Sequence, residues 1–189
     1  WYGIVGMVIA VVATIFGNQV LLTEWLHWLI GAIVIGSIIG AIVAKKVQMT
    51  GMPQLVAALH SFVGLAAVFI GINSAMLPHT EMSSSQLTIH NVEVFIGVFI
   101  GAITFTGSIV AFGKLSEIIT GKALILPGRH ALNIIMLLGC LFLGYMFLSH
   151  EGNWTLIVMT IIAFIIGAHL VLAIGGADMP VVVSMLNSY

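Results

Sequence analysis

Charge is what this chain lacks most. Of 189 residues, five are Lys or Arg and six are Asp or Glu. A globular domain is about a quarter charged, whereas 6% here cannot clothe a water-facing surface. A soluble enzyme, a disordered chain and a nucleic-acid binder are thereby excluded. Cysteine is nearly absent too. The single Cys140 lies in an apolar run, so no disulfide forms within the chain and the redox compartment is not legible from cysteine usage. No signal peptide with a basic start and cleavage site is visible within these residues, nor is the ten-residue alternation that a membrane barrel needs. What is present is apolar: 61% of residues are hydrophobic and the mean hydropathy is +1.24. The composition predicts an all-α, polytopic transmembrane helix bundle.

The apolar runs place the helices, since backbone groups in lipid must be satisfied within the segment. The first run spans 1–16. The second spans 25–44 and ends at Lys45 and Lys46. Four more span 52–77, 91–112, 131–148 and 154–174, and a seventh starts at Met179 and Pro180. The chain is therefore expected to be one transmembrane domain over 1–189, with six spans and the start of a seventh. Trp1 lies inside an apolar run and Tyr189 ten residues past Met179, so both are expected to be interior points of a longer subunit. Lys45, Lys46, Lys114, Lys122 and Arg129 all fall between spans two and three or four and five, while the alternate connections carry Glu24, Glu81 and Glu151. The positive-inside rule puts the basic connections, and by alternation the turn 175–178, in the cytoplasm.

Glycine is frequent, with 21 residues. Gly36 and Gly40 in span two, and Gly97, Gly101 and Gly107 in span four, predict close helix contacts, the usual work of small residues in lipid. An internal echo also stands out. Residues 52–61 (MPQLVAALHS) and 179–188 (MPVVVSMLNS) agree at five of ten positions. Both open a span with proline in the first turn, where it sacrifices no hydrogen bond, and Asp178 is placed to cap the second. Such repeats flank midplane sites in many transporters. The echo pairs His60 with Asn187, each eight residues after its Met, or about 12 Å into a helix crossing a core about 30 Å thick.

His60 is the one ionisable residue deep in a span. At that depth it must face protein or water, and it is a functional candidate by default. Imidazole titrates near neutrality and can load or release a proton. Ser61 and Asn73 add polarity to the same helix. Glu93, beside His90 and Asn91 at the outer start of span four, reads either as a proton mouth or as a favourable acid in a first helical turn. Thr104, Thr106 and Ser108 form a polar stretch whose hydroxyls can also bond back to their own helix. His27, His79, His90, His130 and His150 flank spans, and a packing role for His169 is at least as good a reading as a functional one. Bis-histidine haem needs ligands at matched depth on facing helices, and only His60 is deep. No metal-ligand spacing, nucleophile elbow or phosphate-binding glycine loop occurs.

Three stretches carry a resemblance: 52–68 (MPQLVAALHSFVGLAAV), 104–115 (TFTGSIVAFGKL) and 175–189 (GGADMPVVVSMLNSY). Together they resemble the membrane domain of the β subunit of proton-translocating nicotinamide nucleotide transhydrogenase. The form is the histidine-bearing bacterial one, since some relatives have Tyr-Asn-Gly where Leu59, His60 and Ser61 stand. The resemblance implies hydride transfer between NAD(H) and NADP(H) coupled to proton passage. NAD(H) would bind a soluble domain of the α subunit, and NADP(H) a soluble domain following this one in the β subunit. No cofactor or metal would be held by 1–189 itself, and the nucleotide-binding domain is absent from it. Carried over by position are His60 and Asn187 in the proton path, with Ser108 and Glu93 less firmly. Asp178 would sit at the turn facing the NADP(H) domain. Implied partners are the α subunit with its membrane helices, the NADP(H) domain, the lipid bilayer and a second copy of the complex. The implied location is the bacterial inner membrane. Two other readings stay open on the residues alone: a proton-coupled secondary transporter using the echo as its substrate site, and a packing subunit with a dry interior around His60.

Overall fold

The structure is a computed structural model that describes residues 2–16, 26–77, 82–149 and 152–181. Every regular element among them is helical, and residues 1–48 and 49–189 form two separate units. The first unit holds α1 (Tyr2–Ile15) and α2 (Leu26–Lys46). Lys45 and Lys46 close α2 in its last turn, where cations complement the negative end of the helix dipole. Neither α1 nor α2 has a buried residue, Gly36 and Gly40 included.

The second unit holds α3 (Met52–Met76), α4 (Ser84–Leu115), α5 (Arg129–Leu148) and α6 (Trp154–Leu172). Five helices, α2 to α6, are long and apolar enough to cross a membrane, and α1 is a shorter apolar helix. The chain is thus a polytopic all-α membrane protein. The described part of the seventh span is its first turn, residues 179–181.

Each helix starts where its local chemistry dictates. Pro53 sits in the first turn of α3 after Gly51. A left-handed Gly128 (φ 74°) turns the chain into α5, a conformation glycine adopts without Cβ strain. α4 starts earlier than its hydropathy predicts, at Ser84 rather than Asn91. The reason is a capping box. The Ser83 hydroxyl accepts from the Gln86 N–H at 3.4 Å, and the Gln86 side-chain oxygen accepts from the Ser83 N–H at 2.9 Å. These bonds satisfy orphan donors at the helix start. Glu93 therefore lies in the third turn, not the first, and the reading of it as a first-turn acid is corrected.

α4 is the centre of this unit. It packs antiparallel on α3 along one side and against α6 on another, while α5 packs chiefly on α6. Small residues set these approaches. A Cβ built on Gly64 would stand 2.7 Å from the Gly101 carbonyl oxygen, and one on Gly101 would stand 2.8 Å from that of Gly64. A Cβ on Gly167 would collide with Thr106 and Ile103 of α4. Gly144 of α5 receives the Phe95 ring at 2.9 Å from where its Cβ would be. Gly97, by contrast, has open space beside it. Two apolar clusters fill the contacts. One includes Val98, Ala102, Cys140, Leu156, Met159 and Ala163. The other, at the basic end, gathers Ala57, Val110, Ala111, Val171 and Met179.

The crossing at Gly64 and Gly101 gives the first prediction. Gly101→Val forces a side chain into the α3 backbone, and overpacking of this kind costs about 1–3 kcal/mol. Thermal unfolding in detergent is expected to show that loss, with Gly97→Ala unfolding like the parent. Equal stability of Gly101→Val and Gly97→Ala would contradict the close crossing.

Candidate functional site

His60 lies in the third turn of α3, after the Pro53 entry, at the α3–α4 seam. There it lines an open groove of about 260 Å³ with Val63, Gly64, Ala67, Gly97, Ile100, Gly101 and Thr104. Glycine makes the groove. Gly97 leaves space where a larger residue would fill it, while Gly64 and Gly101 bring the backbones together just beside it. The lining is almost wholly apolar apart from His60 and Thr104. The Nε2 of His60 is buried and has no hydrogen-bond partner among the described residues. A buried unpaired ring nitrogen carries a penalty of about 1–3 kcal/mol, a state that His169 Nε2 and Ser116 Oγ share among the described residues.

Helical periodicity puts further polar residues on the same seam. Taking about 100° per residue, Glu93, Gly97, Gly101, Thr104 and Ser108 of α4 fall within an arc of about 100°. His60, Gly64, Ala67, Gly71 and Ser74 of α3 fall within a similar arc. The seam starts at the end away from the basic residues, where Ser74 Oγ and His90 Nε2 lie 3.1 Å apart. It then passes the groove and reaches Ser108, which is buried one turn beyond Thr104. Ser74 to His60 is fourteen residues, about 21 Å along the helix.

The predicted residues sort as follows. His60 and Thr104 share the groove, and Ser108 continues the Thr104 face without lining it. Glu93 is on that face but exposed in this chain. Asp178 is exposed on the one-turn helix Gly176–Asp178. Asn187 lies outside the described residues. Ser61 is buried, yet its hydroxyl donates to its own helix at Ala58 O, 2.7 Å. Asn73 lies on the same helix as expected, but it is exposed and thirteen residues from His60, which turns it away from the seam. Thr106 does both things weighed for it: its hydroxyl donates to Ala102 O at 3.2 Å and across to Phe164 O of α6 at 2.8 Å. His169 Nδ1 lies 2.8 Å from Asn133 Oδ1, tying α6 to α5.

One residue was misread from sequence. Lys114 counted as a loop cation marking the cytoplasmic face, but it lies in the last turn of α4 and is 4% exposed. Its ammonium donates to Ile174 O at 2.6 Å and Leu172 O at 2.7 Å, with Val171 O and Lys122 O at 3.4 Å. These include end carbonyls of α6, which have no partner inside the helix. The negative end of the α6 dipole and a charge-assisted bond both favour the cation there. Position offered a signal: a lysine ending a long apolar helix is placed to meet a neighbour's carbonyls. Beside it, Gln54 Nε2 donates to Leu115 O at 2.8 Å and joins the start of α3 to the end of α4.

The Met-Pro echo is repeated in structure, since a one-turn 3₁₀ helix precedes each copy, Met49–Gly51 and Gly176–Asp178. Burial differs, however. Met52 is 49% exposed and Met179 is 0% exposed.

The cross-helix bond at Thr106 gives a second prediction. Thr106→Val removes it with little change of volume, and interhelical bonds of this kind in membranes average about 0.6 kcal/mol. A small loss of unfolding free energy is expected, and a loss above about 2 kcal/mol would show that Thr106 does more than join α4 to α6.

Comparison with known proteins follows from here. The model of the family described as NAD(P) transhydrogenase beta subunit matches residues 1–189. Two relatives named NAD(P) transhydrogenase subunit beta, one from Rhodospirillum rubrum and one from a particular strain of that species, are each 44% identical over 190 residues. The match covers 99% of this chain and 40% of each relative.

Proposed function

The chain belongs to the NAD(P) transhydrogenase β-subunit family, and from that premise we propose that it is the proton-conducting membrane part of an enzyme that couples hydride transfer between NAD(H) and NADP(H) to proton passage. The chain spans about 40% of the length of the relatives it matches, and hydride transfer is assigned to soluble domains beyond it. NADP(H) belongs to a domain following this one in the same subunit, and NAD(H) to the α subunit, whose membrane helices complete the bundle. The complex is a dimer in the bacterial inner membrane, with the basic connections and Asp178 in the cytoplasm. Residues 1–189 act as one transmembrane domain.

The observation that carries this reading is His60 itself, a titratable residue that lines a groove and has a buried, unpartnered Nε2, on a seam that also bears Glu93, Thr104 and Ser108. A proton carrier in lipid has to be a titratable group with access to water and freedom to exchange partners. His60 meets the chemical requirement, because imidazole binds and releases a proton near neutral pH. Glu93 and the Ser74–His90 pair lead from the outer end. His60 takes the proton through water in the groove, with Thr104, Ser108 and Asn187 orienting that water and the ring. A change of nucleotide state in the NADP(H) domain moves the turn at Asp178 and shifts His60 from outer to cytoplasmic access.

The test is coupled proton movement by the complete complex in sealed vesicles. His60→Ala is expected to lower it by about a hundredfold or more, the usual scale for loss of a positioned acid–base group. Ser108→Ala is expected to lower it several-fold. Retention of more than a third of parental pumping by a well-assembled His60→Ala complex would overturn the assignment. A secondary transporter would move protons without any hydride transfer, so the same vesicles separate that reading.

A further inference from the structure

The mechanism above leaves open how a movement at the cytoplasmic turn reaches α4. The bonds of Lys114 supply an answer, and we propose that Lys114 is the positioning residue that makes the turn 175–178 and the cytoplasmic end of α4 move as one body. This inference rests on the proton-translocating reading.

Lys114 is unusual for its charge. A cation in the last turn of a spanning helix ordinarily extends into the headgroup region, whereas this one is buried and folded back against its neighbours. An ammonium has three N–H donors. Two are committed to the short bonds with Leu172 O and Ile174 O, and the third is shared between Val171 O and Lys122 O, both at 3.4 Å. One side chain thus joins three segments: the end of α4, the end of α6 and the 116–128 connection. Backbone bonds reinforce the same junction. Leu124 N donates to Leu172 O at 2.9 Å, and Gly176 N donates to Gly121 O at 2.8 Å. Gly121 and Gly176 approach so closely that a Cβ on Gly176 would stand 3.2 Å from Gly121 Cα. Next to the junction lies a cavity of about 480 Å³, lined in part by Lys114, Glu117, Thr120, Gly121 and Gly176.

The geometry sets what the junction transmits. Asp178 is two residues beyond Gly176 and four beyond Ile174, whose carbonyl Lys114 holds most tightly. On the other side, Lys114 is six residues from Ser108, about 9 Å along a rigid helix. Displacing the turn therefore displaces α4 along the face that carries Ser108 and Thr104 toward His60. Gln54, bonded to Leu115 O, ties the start of α3 to the same helix end.

The experiment compares the parent complex with Lys114→Met and Lys114→Arg, both assembled with the complete subunits. Two readouts are taken: protons moved per hydride transferred in sealed vesicles, and hydrogen exchange of residues 108–115 and 173–178 with oxidised and reduced NADP. In the parent, both segments are expected to respond together to the nucleotide. In Lys114→Met, segment 173–178 still responds and 108–115 does not, and the proton-to-hydride ratio falls at least threefold. Lys114→Arg, which can reach the same carbonyls, restores most of the ratio, as a loss of mere side-chain volume would not require. A parental ratio, or a retained response of 108–115, in Lys114→Met overturns the proposal. Should Lys114→Met fail to assemble, Lys114→Gln is read by the same two criteria. A parent complex that moves no protons would refute the functional reading instead, while the exchange data still decide whether the two segments move together.

Discussion

The near-contact of two helix backbones at Gly64 and Gly101 is the constraint on which the rest of the second unit depends. In lipid there is no hydrophobic drive to bring helices together, so association relies on close packing. Two glycines facing each other allow α3 and α4 to approach until a single added carbon would strike a carbonyl. That approach fixes the antiparallel register. It sets His60 opposite Thr104, brings Gln54 to the end of α4, and aligns Ser74 with His90 at the far end. The groove exists because close packing stops at Gly97, where no neighbour fills the space.

Against that frame of close contacts, the polar groups divide in a way that gives His60 its meaning. At the basic end, Lys114 and Gln54 satisfy helix-end carbonyls. Between α5 and α6, His169 meets Asn133. In the body of the bundle, Thr106 joins α4 to α6. Each of these is a structural bond with both partners identified, although the Nε2 of His169 and the Oγ of Ser116 are also buried without a partner among the described residues. The Nε2 of His60 is buried without one among the described residues. His169 is anchored through its Nδ1, so the open Nε2 distinguishes His60 only together with its place in the groove.

The Met-Pro echo shows how one local sequence can serve two environments. Both copies begin the same way, with a 3₁₀ turn leading into a helical turn that holds the proline, because those preferences are local to the chain. Met52 nonetheless stays half exposed while Met179 is wholly enclosed by Ala57, Val110, Ala111 and Val171. The second copy follows directly on the junction held by Lys114, and that anchoring presses Met179 into the core. Repetition in sequence here means repetition of backbone entry, not of surroundings.

The sequence by itself determined the membrane class, the all-α character, the approximate position of the described spans apart from the early start of α4, and the family. These follow from composition, run length and extended motifs, which act locally or additively and need no knowledge of neighbours. It also singled out His60, because one ionisable residue at depth stands out against an apolar background. The tertiary structure decided which polar residues meet. Lys114 read as a solvated loop charge because a lysine at a helix end ordinarily is one, and only the adjacent end of α6 makes it a buried cap. Glu93 moved from first to third turn because a capping box, weak in hydropathy but strong in hydrogen bonding, extended α4. Asn73, on the same helix as His60, faces away from the seam, and its angular position matters only once α4 defines a face. Partner choice across helices depends on register and crossing, and those are set by two glycines whose significance appears only when the backbones are brought together.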